Sequence, residues 1–415
     1  MSEEKQPKKQ KLSTESYKGV RDFYPEDMAI EKYIFEIWRK TAESFGYIEY
    51  GASILEPTEL YKAKSGEEIV NEQTYSFKDR GDRDVTIRPE MTPTVARMIA
   101  GIRREAKFPL RWYSIPNLFR YERPQRGRLR EHFQLNCDIF GLEGIEAEVE
   151  MLSLSYQIMK NFGLKDEQFE IRINSRELLT ETLTKQGIAP EKISDVIRLI
   201  DKKNKLKDFD EQYKSLTGKE FNLTLSANTK IDSLIEKLSK KNIHVIFDPS
   251  LARGFDYYTG IVFEIYDKNP ANPRALFGGG RYDNLLDIFD VEKVPTVGFG
   301  MGDVTIKDVL ETYGLLPEYK STTQVAILPF SDEFYAEADI VANEFRIHNI
   351  NVVIDYSNKK IGDRIAKIDK EKIPYVLVVG EEENKTKKFK LKELSTKKES
   401  EITLADIKNL VWKKI

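Results

Sequence analysis

The sequence predicts an α+β protein, in which a region of antiparallel strands is flanked by helices and a small α/β domain follows at the C-terminus. Segments such as FEIRINS alternate strictly between apolar and polar residues, which is typical of a strand with one buried face. Apolar residues recur at helical spacing over residues 25–45 and 145–162. The composition changes near residues 315–323, and strands separated by helices follow, which indicates a second domain.

Length and composition narrow the class of protein. A chain of 415 residues is long enough for two or three domains. With 40% hydrophobic and 33% charged residues, it has the composition of a globular protein with a charged surface. The net charge of −3 neither indicates nor excludes a nucleic-acid partner, because binding depends on where the positive charge lies.

Targeting and metal signals point to the cytoplasm. No apolar run approaches the roughly 20 residues that a membrane-spanning helix needs, so we expect no membrane association. The polar, lysine-rich N-terminus lacks the features of a secretory or mitochondrial leader. One cysteine, Cys137, excludes an internal disulfide and a cysteine-based zinc site, and the three histidines lack metal-ligand spacing.

Glycine and proline residues mark the ends of several helices and strands that we predict in the first half of the chain. Residues 1–16 are predicted to be a flexible tail, and apolar residues on one face predict a helix over 25–45 that Gly46 ends. The further elements predicted in this half are a strand ending at Pro57, a hairpin over 75–88, a helix after Pro89, strands over 110–122 and 132–140 around the basic loop PQRGRLR, a helix over 145–162 and the strand FEIRINS.

The second half begins with a different kind of segment. Residues 177–243 are lysine-rich, helical and weakly apolar, which predicts an inserted helical module. Strands return in HVIFDP and YTGIVFEIYD, and VPTVGFGMGDVTIKDVLETYG predicts a strand that leads into a helix. From QVAILPF onward the pattern predicts strands and helices in alternation, ending with the strand KFKLKEL and the helix LADIKNLVWKK.

Polar side chains share one face of the predicted antiparallel strands. In FQLNCDIFG, Gln134, Asn136 and Asp138 alternate with apolar residues, and side chains on a strand point to opposite faces with period two. The segments TIRPEMT and NLFRYE add Arg88, Glu90, Thr92, Arg120 and Glu122. Two interpretations stay open: a sheet with one solvated face, or a concave sheet that holds a ligand with a negative and a positive end.

Glycine-rich segments lie close to these strands. In FGGGRYD the glycines form a bulge or tight bend, or they let a backbone or flat ligand approach closely. GFGMG is a weak signal for a phosphate loop, because it lacks the lysine and Ser/Thr of a P-loop and the later acidic partner of a dinucleotide site.

Four segments together carry a family resemblance. YKGVRDFYPEDM, LFRYERPQRGRLREHFQLNCDIFG, LARGFDYYTG and FGGGRYDNLL resemble the histidyl-tRNA synthetases, which are class II aminoacyl-tRNA synthetases. The resemblance covers nearly the whole chain from about residue 17, and IPYVLVVGEEE resembles the family's anticodon-binding domain.

The resemblance implies a fold and a set of domains. We expect a class II catalytic domain over 17–320, with six to seven antiparallel strands flanked by helices and the helical insertion at about 177–243. An anticodon-binding domain is expected over 322–415. A homodimer is also implied, with the helix from Glu26 and the strand ending at Pro57 at its interface.

The implied activity is that of a histidine–tRNA ligase, an enzyme. The carboxylate of L-histidine attacks the α-phosphate of ATP, which gives histidyl-adenylate and pyrophosphate. The 3′-terminal hydroxyl of tRNA-His then takes the histidyl group. Mg²⁺ would bridge the β- and γ-phosphates, held mainly by phosphate oxygens and water.

Two arginines are implied as catalytic residues. Arg120 matches the arginine of the second class II motif, which grips the α-phosphate, and a guanidinium suits this because its fork binds two oxygens and keeps its proton. Arg253 in LARGFDYYTG matches the family arginine that reaches the substrate carboxylate and the α-phosphate, where other class II enzymes place a metal. Glu122 and Arg128 match positions at the adenine end and the terminal phosphates, so the implied ATP-binding set is Arg120, Glu122, Arg128 and Arg253.

The resemblance also implies a histidine pocket. A neutral imidazole has one donor and one acceptor nitrogen, which phenols and carboxylates can recognise. The implied histidine-binding residues are Glu90, Thr92, Gln134, Asp138, Tyr257, Tyr258 and Tyr282. Asp138 stands where some members carry glutamate, so the charge is kept with a shorter reach.

The third class II motif departs from the family pattern. That motif ends in glycine, a variable residue, glutamate and an arginine that grips the γ-phosphate, whereas GFGMGDVTI has Thr305 at the arginine position. Three explanations stay open: another cation such as Arg128 or Arg126 takes the role, a branch of the family manages without it, or the chain is an inactive paralogue.

Two other functions are considered. One is the non-catalytic, histidine-binding regulatory subunit of ATP phosphoribosyltransferase, but such relatives lose the catalytic arginines and the anticodon domain. The other is a class II synthetase for another amino acid, which the pair LARGFDYYTG and FGGGRYD disfavours.

Overall fold

The structure is a computed structural model that describes residues 12–62, 73–203, 206–253 and 257–409. The chain divides into two compact units, and the division falls between Leu316 and Pro317. Residues 1–11 of the predicted tail lie outside the described residues, whereas residues 12–16 are exposed and form no helix or strand.

The first unit has twelve strands in its described part. In chain order they are β1 (Ile48–Glu49), β2 (Leu55–Pro57), β3 (Tyr75–Lys78), β4 (Asp84–Ile87), β5 (Leu110–Ser114), β6 (Asn117–Phe119), β7 (Glu131–Phe140), β8 (Phe169–Ser175), β9 (Val245–Phe247), β10 (Ile261–Asp267), β11 (Ala275–Arg281) and β12 (Thr296–Gly302).

A large sheet forms the centre of this unit. Within the described ranges it has nine strands, eight of them in the order β1-β5-β7-β12-β11-β10-β8-β9, with β6 paired to β7. Its interior pairs are antiparallel, as predicted. The sheet exceeds the expected six to seven strands, because β1 joins β5 and β9 joins β8 in parallel at its two edges. β9 lies within HVIFDP, where a strand was predicted, whereas β1 has only two residues.

A smaller sheet comes from the predicted hairpin. β3 and β4 pair antiparallel and β2 adds to β4, in the order β2-β4-β3. The chain reverses through Asp82, whose φ of 58° lies in the left-handed region that Asp tolerates better than most residues.

The described part of the first unit has nine α-helices. They are Pro25–Ser44, Thr58–Lys62, Thr92–Ile102, Glu146–Asn161, Arg176–Lys185, Pro190–Asp201, Phe209–Thr217, Thr229–Ser239 and Asp303–Thr312. The first begins with Pro25 at its first position, where the missing N–H costs nothing, and it buries Ile34 and Trp38 in the main core.

The lysine-rich segment is helical, as its pattern predicts. Three helices within Arg176–Thr217 bury a core of their own, and its largest buried members are Phe209 and Tyr213. Helix Thr229–Ser239 instead buries Ile231, Leu234 and Leu238 in the main core.

The second unit is a small α/β domain. Its strands are β13 (Val325–Pro329), β14 (Val352–Ile354), β15 (Tyr375–Val379), β16 (Phe389–Glu393) and β17 (Glu399–Ile402), in the order β14-β13-β15-β16-β17. Its helices are Tyr335–Ile347, Ile361–Lys370 and Glu381–Thr386.

The sequence patterns of this unit missed two elements, and a third element differs from the prediction in its helix type. The short helix Glu381–Thr386 and strand β17 were not predicted. The predicted last helix is a 3₁₀ helix over Leu404–Asn409, and residues 410–415 lie outside the described residues. Among the helices that the structure describes in either unit, none is long and apolar enough to cross a membrane.

Candidate active site

Glycines form the floor of a pocket at the centre of the large sheet. β12 pairs with β7 so that Gly298 lies opposite Asp138 and Gly300 lies opposite Asn136. On its other side, Gly300 pairs with Gly278 of β11. A strand without side chains on one face leaves room for the side chains of its neighbours to lie across it.

A cavity of about 110 Å³ opens above this floor. Its wall contains all the residues that the family resemblance implied for histidine binding, together with the two arginines predicted to be catalytic. The lining residues are Glu90, Thr92, Arg120, Gln134, Asn136, Asp138, Arg253, Tyr257, Tyr258, Gly278, Tyr282, Gly298, Phe299 and Gly300.

The glycines are sterically required. A Cβ on Gly278 would collide with the guanidinium of Arg253, and one on Gly298 would collide with both Asp138 and Tyr282. GFGMG lies within strand β12, and its last residue, Gly302, is the N-cap of the following helix, so the segment forms no phosphate loop.

Arg253 lies across the floor with its charge partly compensated. Its Nη1 donates a hydrogen bond to Oε1 of Glu264 at 3.2 Å, and Glu264 is the β10 residue opposite Gly278. The guanidinium carbon lies 5.4 Å from the centre of the Tyr258 ring, whereas the buried Nε has no partner among the described residues.

The backbone at Arg253 is strained. Its φ is 42°, in the left-handed region that a residue with a long side chain rarely adopts. Such strain persists where the surroundings hold it and is common at functional sites. Residues 254–256 of the motif LARGFDYYTG lie outside the described residues.

The charge of Arg253 is permanent. Burial acts to lower the pKa of its guanidinium, but Tyr258 and Glu264 outweigh burial and hold that pKa above its usual value. The side chain therefore offers a fixed positive charge at any physiological pH.

Arg120 brings a second guanidinium to the cavity. Its Nε donates to the carbonyl of Pro89 at 2.9 Å, and its backbone N–H donates to the carbonyl of Arg130 at 2.8 Å. Beside it, burial and the charges of Arg120 and Arg21 lower the pKa of His132 to about 3, so that imidazole stays neutral.

Asp138 and Tyr282 form a pair on the floor. The Tyr282 hydroxyl donates a hydrogen bond to Oδ1 of Asp138. Burial raises the pKa of Asp138 to about 7, against the opposing effect of that hydrogen bond. A carboxyl that titrates near neutrality in a cleft is typical of a functional site.

Three phenols enclose the same end of the cavity. The ring centres of Tyr257 and Tyr258 are 4.9 Å apart, and that of Tyr282 lies 5.6 Å from Tyr257. Tyr257 shares side-chain hydrogen bonds with Thr92 and Tyr258. Burial raises the pKa of each phenol, so all three stay protonated.

Two of the residues implied for ATP lie outside this cavity. Arg128 and Glu122 form an ion pair with each other, with 3.3 Å between Nη1 and Oε2. The loop that carries them turns at Gly127, and Gln125 and Arg128 form an isolated β-bridge. Their assignment to ATP stays a prediction.

Sequence reasoning left two residues of the site unassigned. Asn136 belongs to the polar row that was recognised on β7, but it was given no role. Glu264, which orients Arg253, is the lone acid inside the apolar strand segment IVFEIY, and that isolation was the available signal.

Arg88 belongs to the same polar rows but has another role. Its Nη1 donates to the carbonyl of Ala52 at 2.8 Å, and its Nε donates to the carbonyl of Asn117 at 3.1 Å. It therefore ties β6 to the segment before β2 and does not line the cavity.

The cavity thus brings two guanidinia, those of Arg120 and Arg253, together with three phenols. Fixed positive charge in a pocket stabilises negative charge that develops there. Across the described ranges, no group of three or more His, Cys, Asp and Glu side chains could hold a metal ion.

Comparisons with known proteins show the family of the chain. The family model for histidyl-tRNA synthetase matches residues 19–216 and 205–304, and that for an anticodon binding domain matches residues 324–414. A Leptospira biflexa protein named histidine–tRNA ligase is 43% identical over 94% of this chain and 95% of its own length.

Solved structures show the same fold. A histidyl-tRNA synthetase from Nostoc covers 96% of this chain and 98% of its own, with a TM-score of 0.76 at 22% identity. The apo Staphylococcus aureus enzyme of that name covers 96% and 99%, with a TM-score of 0.73 at 25% identity. The predicted family and fold class are thus confirmed, and the chain belongs to the histidyl-tRNA synthetase family.

Proposed function

We propose that this chain activates L-histidine with ATP in the glycine-floored pocket and transfers the histidyl group to the 3′ end of tRNA-His. The single observation that carries the proposal is the position of Arg253, held by Glu264 across Gly278 in a cavity that Arg120 also lines. Family membership and full-length similarity to proteins named histidine–tRNA ligase support the ligase activity.

Two guanidinia serve the first step. The histidine carboxylate attacks the α-phosphate, a new P–O bond forms, and the bond to pyrophosphate breaks. Arg253 orients the carboxylate and the α-phosphate, while Arg120 grips the phosphate oxygens as charge develops on them. Because Nε of Arg253 has no partner among the described residues, it is a donor that a substrate oxygen can satisfy.

Asp138 and Tyr282 recognise the imidazole. One oxygen of Asp138 accepts the Tyr282 hydrogen bond, and its other oxygen is the acceptor proposed for an imidazole N–H. Glu90, Thr92, Gln134, Tyr257 and Tyr258 complete the histidine site. The α-ammonium group is assigned to Glu90 and Gln134, because a carboxylate and an amide oxygen are suitable acceptors for it.

Mg²⁺ enters as part of the MgATP substrate. The described residues offer no cluster of protein ligands for it, and Mg²⁺ keeps several waters and binds substrate phosphates. Glu122 and Arg128 are proposed to contact the adenine end and the terminal phosphates.

Each unit has its own task. We assign residues 17–320 to the catalytic domain, with its helical insertion at about 177–243, and residues 322–415 to recognition of the anticodon. The match of residues 324–414 to an anticodon binding domain supports the second assignment. The regulatory subunit of ATP phosphoribosyltransferase is less supported, because Arg120, Arg253 and this domain are all present.

A homodimer is proposed through the segment from Glu26 to Pro57. Large apolar side chains are exposed on and beside this segment: Tyr24, Ile48, Ile54 and Leu55. β1 is also an edge strand, so its free side is open to pairing. Sedimentation of the purified chain tests this, and a monomer at micromolar concentration would contradict it.

The cytoplasm is proposed as its compartment, since a single cysteine and a tRNA substrate suit a reducing, translating compartment. Fractionation of the source cells would test that assignment.

Amino-acid-dependent exchange of pyrophosphate into ATP tests the proposed activity. We expect exchange with L-histidine and background rates with the other 19 amino acids. Histidinol, which lacks the attacking carboxylate, should support none. Exchange with another amino acid, or no exchange with histidine from folded protein, would refute the proposal.

A further inference from the structure

A second cavity of about 300 Å³ adjoins the active-site pocket. β11 connects the two, because Leu276 lines the second cavity and Gly278 lines the first. Two residues of strand span about 7 Å. A nucleotide whose α-phosphate lies at the first pocket can therefore extend into the second.

Thr305 lies in the wall of this second cavity but carries no charge. Its hydroxyl donates to the carbonyl of Leu276 at 2.7 Å and lies 3.2 Å from the carbonyl of Gly302. Thr305 thus closes the wall where the family pattern has an arginine.

Two arginines of the loop of residues 123–128 have a carboxylate nearby. Arg126 lies 4.0 Å from the carboxylate of Asp308, which also lines the cavity. Arg128 pairs with Glu122.

Arg274 differs from both. Its Nη2 donates to the amide oxygen of Gln125 at 3.0 Å, and no carboxylate lies within 4 Å of it in the described part of the chain. Its guanidinium is therefore the cavity cation with the least compensated charge, and it is available to an anionic ligand.

The loop that carries Arg274 is fixed by buried hydrogen bonds. Nδ2 of Asn272 donates to Asp267 at 2.7 Å and to Thr312 at 3.1 Å. The hydroxyl of Tyr313 donates to the other oxygen of Asp267 at 2.7 Å. Thr312 and Tyr313 lie at the C-terminal end of the helix that contains Thr305, so the loop keeps its position relative to that cavity wall. A guanidinium held on an ordered loop loses less freedom when it binds a ligand.

We propose that Arg274 binds the terminal phosphates of ATP and supplies the positive charge that Thr305 cannot. The inference rests on the proposed function, since it takes ATP as the ligand of the first pocket. A planar guanidinium matches the oxygens of a phosphate in a two-point contact. The contact with Gln125 also places this charge beside the loop of residues 123–128.

Nucleotides with different numbers of phosphates test the assignment directly. Binding of AMP and of the non-hydrolysable β,γ-imido analogue of ATP is measured by calorimetry for wild type, Arg274→Ala and Arg274→Lys. Arg274→Ala should weaken the triphosphate about ten- to a hundredfold, the range of a hydrogen bond to a charged group. AMP should bind as it does to wild type, and Arg274→Lys should lie between the two.

A second-site change and a control sharpen the test. If Arg274 supplies the positive charge that Thr305 lacks, then adding Thr305→Arg to Arg274→Ala should recover most of the affinity for the triphosphate. Arg346→Ala, in the second unit, removes an exposed arginine that donates a hydrogen bond to Asn343, and it should change neither affinity.

Two results would overturn the assignment. One is triphosphate binding by Arg274→Ala that equals wild type, and the other is an equal loss of AMP and triphosphate affinity, which would mark a contact to the base or ribose. These results are independent of histidine exchange, so a wild type that fails the exchange assay would refute the proposed function without deciding this one.

Discussion

Replacing Asp138 by asparagine should change how the stability of the protein depends on pH. Burial raises the pKa of Asp138 from 3.8 to about 7 in the folded chain. The difference is about three pKa units, and at about 1.4 kcal/mol per unit the cost of ionising this buried carboxyl reaches about 4 kcal/mol. Asparagine keeps an oxygen that can accept the Tyr282 hydrogen bond, but it cannot ionise.

The sign follows from proton binding. Between pH 4 and 7 the folded state holds a proton on Asp138 that the unfolded state has lost, so the free energy of unfolding falls as pH rises. The fall begins near the unfolded pKa and is complete above the folded pKa of about 7. Relative to wild type, Asp138→Asn should therefore gain stability from pH 4 to pH 8, by up to about 4 kcal/mol.

Denaturant unfolding at pH 4.5, 6 and 8 measures this difference. Asp232→Asn, an exposed carboxylate on helix Thr229–Ser239, controls for the general loss of a charge. A stability difference between Asp138→Asn and wild type that stays constant over this range would refute the reasoning. The same variant should bind histidine more weakly at pH 8, where the wild-type carboxylate is ionised and accepts the imidazole N–H.

The other predictions concern the glycine floor and the two units. Gly298→Ala should push Asp138 and Tyr282 aside, raise the KM for histidine and cost about 1–3 kcal/mol of stability, whereas Gly362→Ala, whose Cβ would meet no atom within 4 Å, should leave the KM for histidine unchanged. Unchanged histidine kinetics in Gly298→Ala would contradict the steric account. A chain that ends at Leu316 should keep histidine-dependent exchange and lose most charging of tRNA-His. Equal loss of both activities would contradict the assignment of the second unit.

Local periodicity predicted the faces of the site strands but not their neighbours. The alternation in FQLNCDIFG was sufficient to put Gln134, Asn136 and Asp138 on one face, because side-chain direction on a strand depends on sequence parity alone. That Gly298 lies opposite Asp138 depends on pairing between strands about 160 residues apart. The structural role of GFGMG could therefore not be predicted from these five residues alone.

Contacts between loops could not be predicted from the sequence either. Arg274 reaches Gln125 across 149 residues of sequence, and nothing near either residue indicates the other. Strand β17 was not predicted for another reason. Three of its four residues are exposed, so it lacks the buried apolar positions on which strand prediction depends. The family resemblance supplied the roles of Arg120 and Arg253, which composition and periodicity could not.

The rate of histidyl-adenylate formation in a single turnover, for Arg253→Ala against wild type, tests the central claim most directly. With histidine and MgATP in excess over their dissociation constants, we expect a loss of about a hundredfold or more, since Arg253 stabilises charge on the α-phosphate. Arg104→Ala, at an exposed arginine outside the pocket, should react at the wild-type rate. A folded Arg253→Ala protein that forms histidyl-adenylate as fast as wild type would contradict the account.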